Sequence, residues 1–205
     1  MIISLHNISK RFNYDWIFRN VQHSFSSPLT TAVTGSNGSG KSTLLKIIAG
    51  QLTPSSGTIR YELGGKIMPV DTIYQYLSYA APYMELIEEF TLSEIIHFHL
   101  QFKKLQPGID KKDIPDIIEL SGQKNKELKY FSSGMKQRVK LALTMLSDTP
   151  LLLLDEPTTN LDTGGVNWYL KMIEQFTQNR TLIISSNMER EYSFCTDRVD
   201  IALYK

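Results

Sequence analysis

Strand-like segments and segments of helical periodicity alternate along most of the chain. The segment Leu151–Leu154 is apolar at every position, as expected of a strand whose two faces are both covered by helices. Further strands are predicted at 31–34, 181–185 and 199–204, and helices at 41–49, 134–146 and 166–176. This alternation predicts an α/β fold with a mainly parallel sheet and helices on its faces.

A small antiparallel β portion is predicted in addition to the parallel sheet. Early strands at 2–8 and 19–25 are joined through the turn-rich segment 13–15. Strands at 58–61 and 74–81 are assigned to the antiparallel portion, because glycine- and proline-rich turns flank them.

A helical insertion interrupts this pattern in the middle of the chain. The segment 93–120 is predicted to be helical, with a break at Pro107-Gly108. We interpret it as the centre of an inserted α-helical lobe, from about 85 to 140, within one domain that spans residues 1–205.

Composition and charge narrow the classes of function. With 41% hydrophobic and 21% charged residues, the chain has the composition of an ordinary globular protein. A formal net charge of +1 argues against a broad basic face, so no nucleic-acid partner is expected. The single cysteine, Cys195, favours a reducing compartment. Residues 1–12 lack the features of a secretory signal, and no apolar run approaches the roughly 20 residues of a membrane span.

The strongest chemical motif is a phosphate loop between a predicted strand and a predicted helix. Residues 35–42 satisfy the Walker A pattern G-x-x-x-x-G-K-[ST]. Its glycines let successive N–H groups form an anion-binding nest at a helix N-terminus. Lys41 is placed to reach the terminal phosphates and Ser42 to coordinate Mg²⁺, whereas the alternative is a glycine-rich turn with a surface lysine. The predicted nucleotide-binding residues are Gly35, Ser36, Asn37, Gly38, Ser39, Gly40, Lys41, Ser42 and Thr43.

Two acidic residues follow the apolar strand at 151–154. Strands of an open parallel sheet bind ligands at their carboxyl ends, which is where Asp155 and Glu156 lie. Asp155 is suited to hold Mg²⁺ beside Ser42, and Glu156 to act on the attacking water as general base. The alternative is a strand end that carries two acids before Pro157 by chance.

Residues 131–138, Phe-Ser-Ser-Gly-Met-Lys-Gln-Arg, resemble the signature of the ATP-binding-cassette family, whose usual form is L-S-G-G-Q. They precede the strand at 151–154, and 159–162, Thr-Asn-Leu-Asp, resembles the D-loop of that family. The order and spacing of these motifs match the family over essentially the whole chain. The resemblance implies a P-loop NTPase core with an inserted helical lobe, and an ATPase that uses ATP and Mg²⁺.

The resemblance also implies a head-to-tail homodimer, or a pair with another cassette subunit, that encloses two ATP molecules. The residues implied to contact ATP bound by the partner subunit are Ser132, Ser133, Gly134 and Met135, with Asp162 in the D-loop. Taken alone, Ser132-Ser133 also suits the N-cap of the following helix. Phe12 matches the aromatic position that stacks on adenine, although an aromatic residue after a strand is more often part of the core.

Several positions depart from the family pattern. Pro82 stands where glutamine is usual, and it offers no side-chain amide to the magnesium site. A Ser-His pair is replaced by Ser186-Asn187, and Asn187 can contact the γ-phosphate but cannot carry a proton. In the signature, Ser133 and Met135 replace glycine and glutamine. We therefore expect an ATPase with slow basal turnover, with Glu156 and Asn187 as its catalytic candidates.

The motifs do not indicate which process ATP hydrolysis drives. A single small cassette resembles the ATP-binding subunits of bacterial exporters, which pair with an integral membrane permease. We therefore expect a cytoplasmic protein, held peripherally on the cytoplasmic face of the inner membrane. The alternatives are a soluble cassette ATPase that acts on ribosomes or DNA, and a regulatory subunit with little turnover.

Overall fold

The computed structural model describes residues 1–205 and divides them into two units. The first unit contains residues 1–79, 149–156 and 179–205, and the second contains residues 80–148 and 157–178. The first unit carries the β-sheets, and most of the helical residues lie in the second. No helix has the length and apolar character needed to span a membrane.

A four-stranded antiparallel sheet begins the first unit. Its strands, in order across the sheet, are β2 (Asp15–Ser26), β1 (Ile2–Phe12), β4 (Ser56–Leu63) and β5 (Lys66–Met68). Strands β1 and β2 form a long hairpin, with Phe12 opposite Asp15 at its tip. The apolar side chains of Ile3, Leu5 and Phe25 are fully buried on one face. The early strands are therefore confirmed, and they are longer than predicted.

A five-stranded sheet forms the other layer of the first unit. Its strands, in order, are β6 (Leu77–Ala80), β7 (Leu151–Asp155), β8 (Thr181–Ser185), β3 (Thr30–Thr34) and β9 (Asp197–Asp200). Strand β7 is parallel to β8, and β3 is parallel to both β8 and β9. Strands β7 and β8 are buried at every residue, as predicted for strands covered on both faces. The α/β fold with a mainly parallel sheet is confirmed.

Five α-helices complete the chain. They are α1 (Lys41–Ile48), α2 (Leu92–His99), α3 (Ile114–Ile117), α4 (Ser133–Met145) and α5 (Thr163–Phe176). Helix α1 buries Leu44, Leu45, Ile47 and Ile48, as predicted from their spacing. The predicted helices at 41–49, 134–146 and 166–176 are confirmed to within a few residues.

The assignment of 74–81 to the antiparallel portion is wrong. Residues 70–75 form a 3₁₀ helix, and β6 lies beside β7 in the five-stranded sheet. Its place in the antiparallel sheet is taken by the short strand β5. All four residues of β6 are buried, so they lack the alternation of a strand with one exposed face. That pattern belongs to the layered parallel sheet.

The predicted last strand and the long helical segment are also corrected. Strand β9 ends at Asp200, whose carboxylate accepts a hydrogen bond from the Ala202 N–H (3.0 Å) and begins a 3₁₀ helix over Ile201–Tyr204. Within 93–120, only α2 and the four residues of α3 are α-helical. A capping box of Thr91 and Glu94 starts α2, but few buried apolar side chains follow it to prolong the helix.

Candidate nucleotide-binding site

The predicted phosphate loop connects the carboxyl end of β3 to the first residue of α1. Gly35, Gly38 and Gly40 all have positive φ, with 105° at Gly40. A Cβ at Gly40 would lie 2.5 Å from Ile17 Cγ2 and 3.0 Å from Phe18 Cδ1, so no side chain fits there. The loop therefore packs against β2 in a conformation that requires glycine.

Lys41 lies inside the curve of this loop. Its side chain is buried, and Nζ donates hydrogen bonds to the carbonyl oxygens of Gly35 (3.0 Å) and Ser36 (3.1 Å). Both partners are neutral, so the ammonium charge is held close to the loop without a carboxylate bonded to it. The Ser39 hydroxyl is also buried and has no hydrogen-bond partner. This concentration of positive charge and unused polar groups favours an anion.

Asp155 is the last residue of β7, and its side chain is almost fully buried, with 1% of the residue exposed. Neither carboxylate oxygen has a hydrogen-bond partner. Burial raises the pKa of Asp155, and the nearby Ser42 and Ser185 hydroxyls and the amines of Lys41 and Lys46 offset that rise only in part. The hydroxyls are close enough to act on the charge without reaching hydrogen-bond geometry.

An unpaired carboxylate in the interior is destabilising unless a cation or a proton satisfies it. A divalent cation that prefers oxygen ligands would satisfy it, and the Ser42 hydroxyl lies on the same side as a second oxygen donor. The residues present therefore fit the predicted Mg²⁺ ion, which Asp155 and Ser42 would hold.

Asp155→Asn is expected to stabilise the nucleotide-free protein, and increasingly so at higher pH. Because burial raises the pKa of Asp155, the folded protein holds this proton more tightly than the unfolded chain. Stability of the parent therefore falls as the pH rises above the unfolded value of about 3.9. The neutral amide does not titrate in this range, so the variant avoids this pH-dependent loss.

Thermal unfolding from about pH 4 to pH 7 measures the effect. The difference in Tm between variant and parent should grow with pH. The control is Asp148→Asn, which replaces an exposed carboxyl group. A difference in Tm that does not change with pH would contradict the raised pKa of the Asp155 carboxyl group.

Glu156 follows in a conformation that glutamate rarely adopts. Its φ is +43°, in the left-handed region, and its N–H donates to the Ser185 carbonyl at 2.8 Å. Such a conformation costs about 1 kcal/mol or more, and strain of this kind is concentrated at functional sites. Glu156 directly follows Asp155 at the end of β7, and its side chain is only half-buried.

Asn187 is brought to the phosphate loop by the end of β8. The Ser186 N–H donates to the Val33 carbonyl (3.1 Å), and Asn187 Nδ2 donates to Asn37 Oδ1 (2.9 Å). The structure therefore brings together the phosphate loop, Asp155, Glu156 and Asn187 in the first unit. Pro82 belongs to the second unit, where its carbonyl oxygen accepts a hydrogen bond from Lys140 Nζ (3.3 Å).

Phe12 is an exposed residue at the tip of the β1–β2 hairpin and not part of the core. It is 47% exposed, and the Lys10 ammonium lies 5.0 Å from its ring centroid. The same tip exposes Tyr14 and Trp16, which the sequence did not single out. An exposed ring on the strand pair that supports Gly40 is compatible with the predicted adenine contact.

The predicted signature residues lie in the second unit at the start of α4. Ser132 is the N-cap of this helix, and its Oγ accepts a hydrogen bond from the Met135 N–H (3.2 Å). A Cβ at Gly134 would lie 3.0 Å from the carbonyl oxygen of Asn160, so the signature packs closely against the D-loop segment. Asp162 caps α5 by accepting a hydrogen bond from the Gly165 N–H (2.7 Å).

These two segments line one open cavity of about 410 Å³. Ser132 and Ser133 are exposed at its edge. Arg138 and Glu119, which also line it, form an ion pair that the sequence did not predict, because it joins segments 19 residues apart. From the sequence, no role was assigned to Gln137 either, whose buried Nε2 donates a hydrogen bond to the Pro157 carbonyl oxygen at 2.7 Å.

Comparison with known proteins agrees with these motifs. Residues 18–159 match the ABC transporter family. The chain is 28% identical over 186 residues to the cytochrome c biogenesis ATP-binding export protein CcmA of Brucella abortus (strain 2308), covering 91% of this chain and 85% of that protein. It is 26% identical over 204 residues to the protein of the same name from Haemophilus influenzae, covering 99% and 96% of the two chains.

Solved structures share the fold. A dimeric bacterial ABC transporter cassette superimposes with a TM-score of 0.81 at 20% identity, covering 97% of this chain and 93% of the other. The ATP-binding subunit of another ABC transporter gives a TM-score of 0.81 at 22% identity, covering 98% and 85%. With the family matched over most of the sequence and the cassette fold over nearly all of it, the chain belongs to the ABC transporter family as one of its ATP-binding, ATP-hydrolysing cassettes.

Proposed function

We propose that the chain binds ATP with Mg²⁺ at the phosphate loop and hydrolyses it to power a separate membrane permease. The observation that carries this proposal is the position of Asp155, buried and unpaired in the same unit as the Lys41 loop. A triphosphate with its cation satisfies both groups at once, since the anion meets the Lys41 loop and the cation meets Asp155.

The residues of the first unit have distinct roles in this proposal. The N–H groups of the loop and the Lys41 ammonium bind and orient the phosphates, and Phe12 stacks on the adenine. Magnesium, when bound, neutralises charge on the phosphate oxygens and polarises the transferred group. Glu156 orients the attacking water and accepts its proton, since it directly follows Asp155 at the end of β7 and is only half-buried. Asn187 remains the candidate for a contact near the γ-phosphate.

A second copy, or another cassette subunit, completes the site in this proposal. Ser132 and Ser133 are exposed at the N-terminus of a 13-residue helix, which attracts an anion. The cavity that they line also contains the D-loop residues Asn160 and Asp162. We therefore propose that this cavity meets the γ-phosphate of an ATP molecule bound by the partner subunit.

The permease contact is proposed on the second unit. Phe90, Phe98 and Phe102 form a row of edge-to-face rings with centroids 5.6 and 5.2 Å apart. Phe98 is 41% and Phe102 70% exposed, so this aromatic row has no complete covering. Its apolar surface suits a cytoplasmic helix of the permease. We also propose outward transport at the cytoplasmic face of the inner membrane, since the relatives matched over nearly their whole length are named export proteins.

Co-purification from detergent-solubilised membranes tests the transport role. We expect a tagged chain to retain an integral membrane protein, and hydrogen exchange in the aromatic row to slow in that complex. The double variant Phe98→Ala/Phe102→Ala should weaken retention, whereas Ile67→Ala, an exposed apolar change in β5, should not. Recovery of the chain without any membrane protein would contradict the transport role.

A further inference from the structure

Charged side chains of both signs line the cavity at the start of α4. The exposed Ser132 and Ser133 belong to this cavity, and so do three charged residues, Glu119, Arg138 and Asp162. Two of the three are acidic, so Arg138 is the only cation among the lining residues. The Arg138 guanidinium is therefore the one full positive charge that this cavity offers to an anion.

The Arg138 side chain is held in place by contacts with two other segments. Its guanidinium carbon lies 5.2 Å from the centroid of the Trp168 ring, and Nη1 donates a hydrogen bond to the Ile118 carbonyl oxygen at 3.4 Å. Trp168 in turn donates from Nε1 to the Ile117 carbonyl oxygen at 2.8 Å. Only 17% of the Arg138 side chain is exposed. The cation is therefore fixed by α5 and by the segment that follows α3.

Glu119 is the exposed member of the ion pair with Arg138. Its carboxylate accepts a hydrogen bond from Nη1 of Arg138, and 62% of its side chain is exposed. An exposed ion pair contributes little to stability, because water solvates both charges when the pair opens. Both hydrogen bonds of the guanidinium use Nη1, and the group has further N–H donors on Nε and Nη2. A second anion can therefore replace Glu119 at a cation that stays in position.

A phosphate group is suited to replace the carboxylate of Glu119. Arginine binds phosphate through pairs of parallel hydrogen bonds, and a terminal phosphate carries more negative charge than a carboxylate. The N-terminus of the 13-residue helix α4 attracts the same group. Side chains on a helix lean towards its N-terminus, which directs Arg138 to the end of α4 where Ser132 lies. The cavity therefore combines a helix terminus with a fixed cation.

We propose that Arg138 binds the γ-phosphate of the ATP held by the partner subunit, and that Glu119 competes with this phosphate for the guanidinium. This inference rests on the proposed dimer and adds a cation and its competitor to the cavity. Formation of the dimer exchanges an ion pair within one subunit for an arginine–phosphate contact between subunits. Glu119 therefore limits how tightly two ATP-bound subunits associate.

The test is a double-mutant cycle at positions 119 and 138, with Glu156→Gln present in every chain. Analytical ultracentrifugation with saturating MgATP measures the Kd of the dimer. Arg138→Met removes the cation and should raise this Kd about tenfold or more, because a charge-assisted contact is lost at both sites of the dimer. Glu119→Gln keeps the shape of the side chain and removes the competing charge, so the Kd should fall about three- to tenfold.

The sign of the coupling separates competition from other roles of this ion pair. Without its competitor, Arg138 is fully available to the phosphate. Arg138→Met should therefore raise the Kd by a factor at least about threefold larger in the Glu119→Gln background than in its absence. If the pair only shapes the cavity, Glu119→Gln raises the Kd. If Arg138 only shields Glu119, Arg138→Met has little effect once Glu119 is replaced. Either result, or an unchanged Kd in Glu119→Gln, would overturn the proposal.

An ion pair outside the cavity provides the matched control. Arg60→Met and Glu62→Gln make the same changes of charge in β4, and each should change the Kd by less than about twofold. Thermal unfolding identifies any variant that does not fold. If loss of the contact with Trp168 unfolds Arg138→Met, Arg138→Lys takes its place in the cycle, because lysine lacks the planar guanidinium. The same sign of coupling is then expected.

Failure of the proposed dimer has a different result. If the chain with Glu156→Gln alone forms no dimer with MgATP, the proposed site between two copies is wrong and this inference falls with it. When that dimer forms, the cycle judges the roles of Arg138 and Glu119 alone.

Discussion

Lys41→Ala is expected to abolish MgATP binding and to lower ATP turnover by at least about 100-fold, the loss typical of removing one preorganised group from a charged site. The ammonium is buried inside the phosphate loop and bonded only to the Gly35 and Ser36 carbonyl oxygens. Its charge is therefore available to a phosphate without first breaking an ion pair. Equilibrium binding of a fluorescent ATP analogue and a phosphate-release assay measure the two effects.

Unfolding must be separated from loss of the site in this experiment. Lys41→Met retains most of the side-chain length and removes the charge, so it should lose binding while keeping more of the packing. Lys66→Ala, at an exposed lysine of β5, is the matched control and should bind like the parent. Folded Lys41 variants that bind and hydrolyse ATP like the parent would refute the assignment of this loop.

Glu156→Gln is expected to retain ATP binding, to lower turnover by at least about 100-fold, and to produce a dimer that depends on ATP. The amide has the shape of the carboxylate but accepts no proton, so bound ATP persists. The cavity lined by Ser132 and Ser133 of each subunit would then remain in contact with the γ-phosphate of the ATP bound by the other subunit. Size-exclusion chromatography with ATP and Mg²⁺, compared with ADP, measures the dimer.

The change Glu174→Gln serves as the control, because it alters an exposed carboxylate on α5. It should remain like the parent in both assays. A monomer of Glu156→Gln under every nucleotide condition would contradict the homodimer and would leave pairing with a different cassette subunit as the form to test. Normal turnover in this variant would contradict the role of Glu156 in hydrolysis.

The sequence predicted the local features of the site because short-range constraints determine them. Glycines that need positive φ, such as Gly40, and an apolar strand that ends in Asp155 carry their structure within a few residues. By contrast, the position of β6 depends on which strand it pairs with, and its own four residues do not indicate the partner strand. Its complete burial is seen only in the structure, so the prediction rested on the turns around it.

Contacts between distant segments could not be predicted from the pattern of residues along the sequence. The hydrogen bond from Asn187 to Asn37 and the ion pair of Arg138 with Glu119 depend on loops that the fold brings together. The helical content of the insertion was overestimated, since 93–120 was predicted to be helical with one break at Pro107-Gly108, whereas Phe98 and Phe102 are exposed in the structure. Phe98 lies near the end of α2 and Phe102 lies beyond it.

The end of β7 shows how activity and stability oppose each other in this protein. Glu156 has a left-handed φ that glycine adopts freely, so glutamate at this position has a conformational disadvantage of about 1 kcal/mol. A selection for thermal tolerance alone would favour glycine there. The same selection would remove the carboxylate assigned to hydrolysis, so heat-resistant variants found by such a screen should include inactive ones altered at 156. A search for stabilised but working forms therefore needs to select for turnover in parallel with heat resistance.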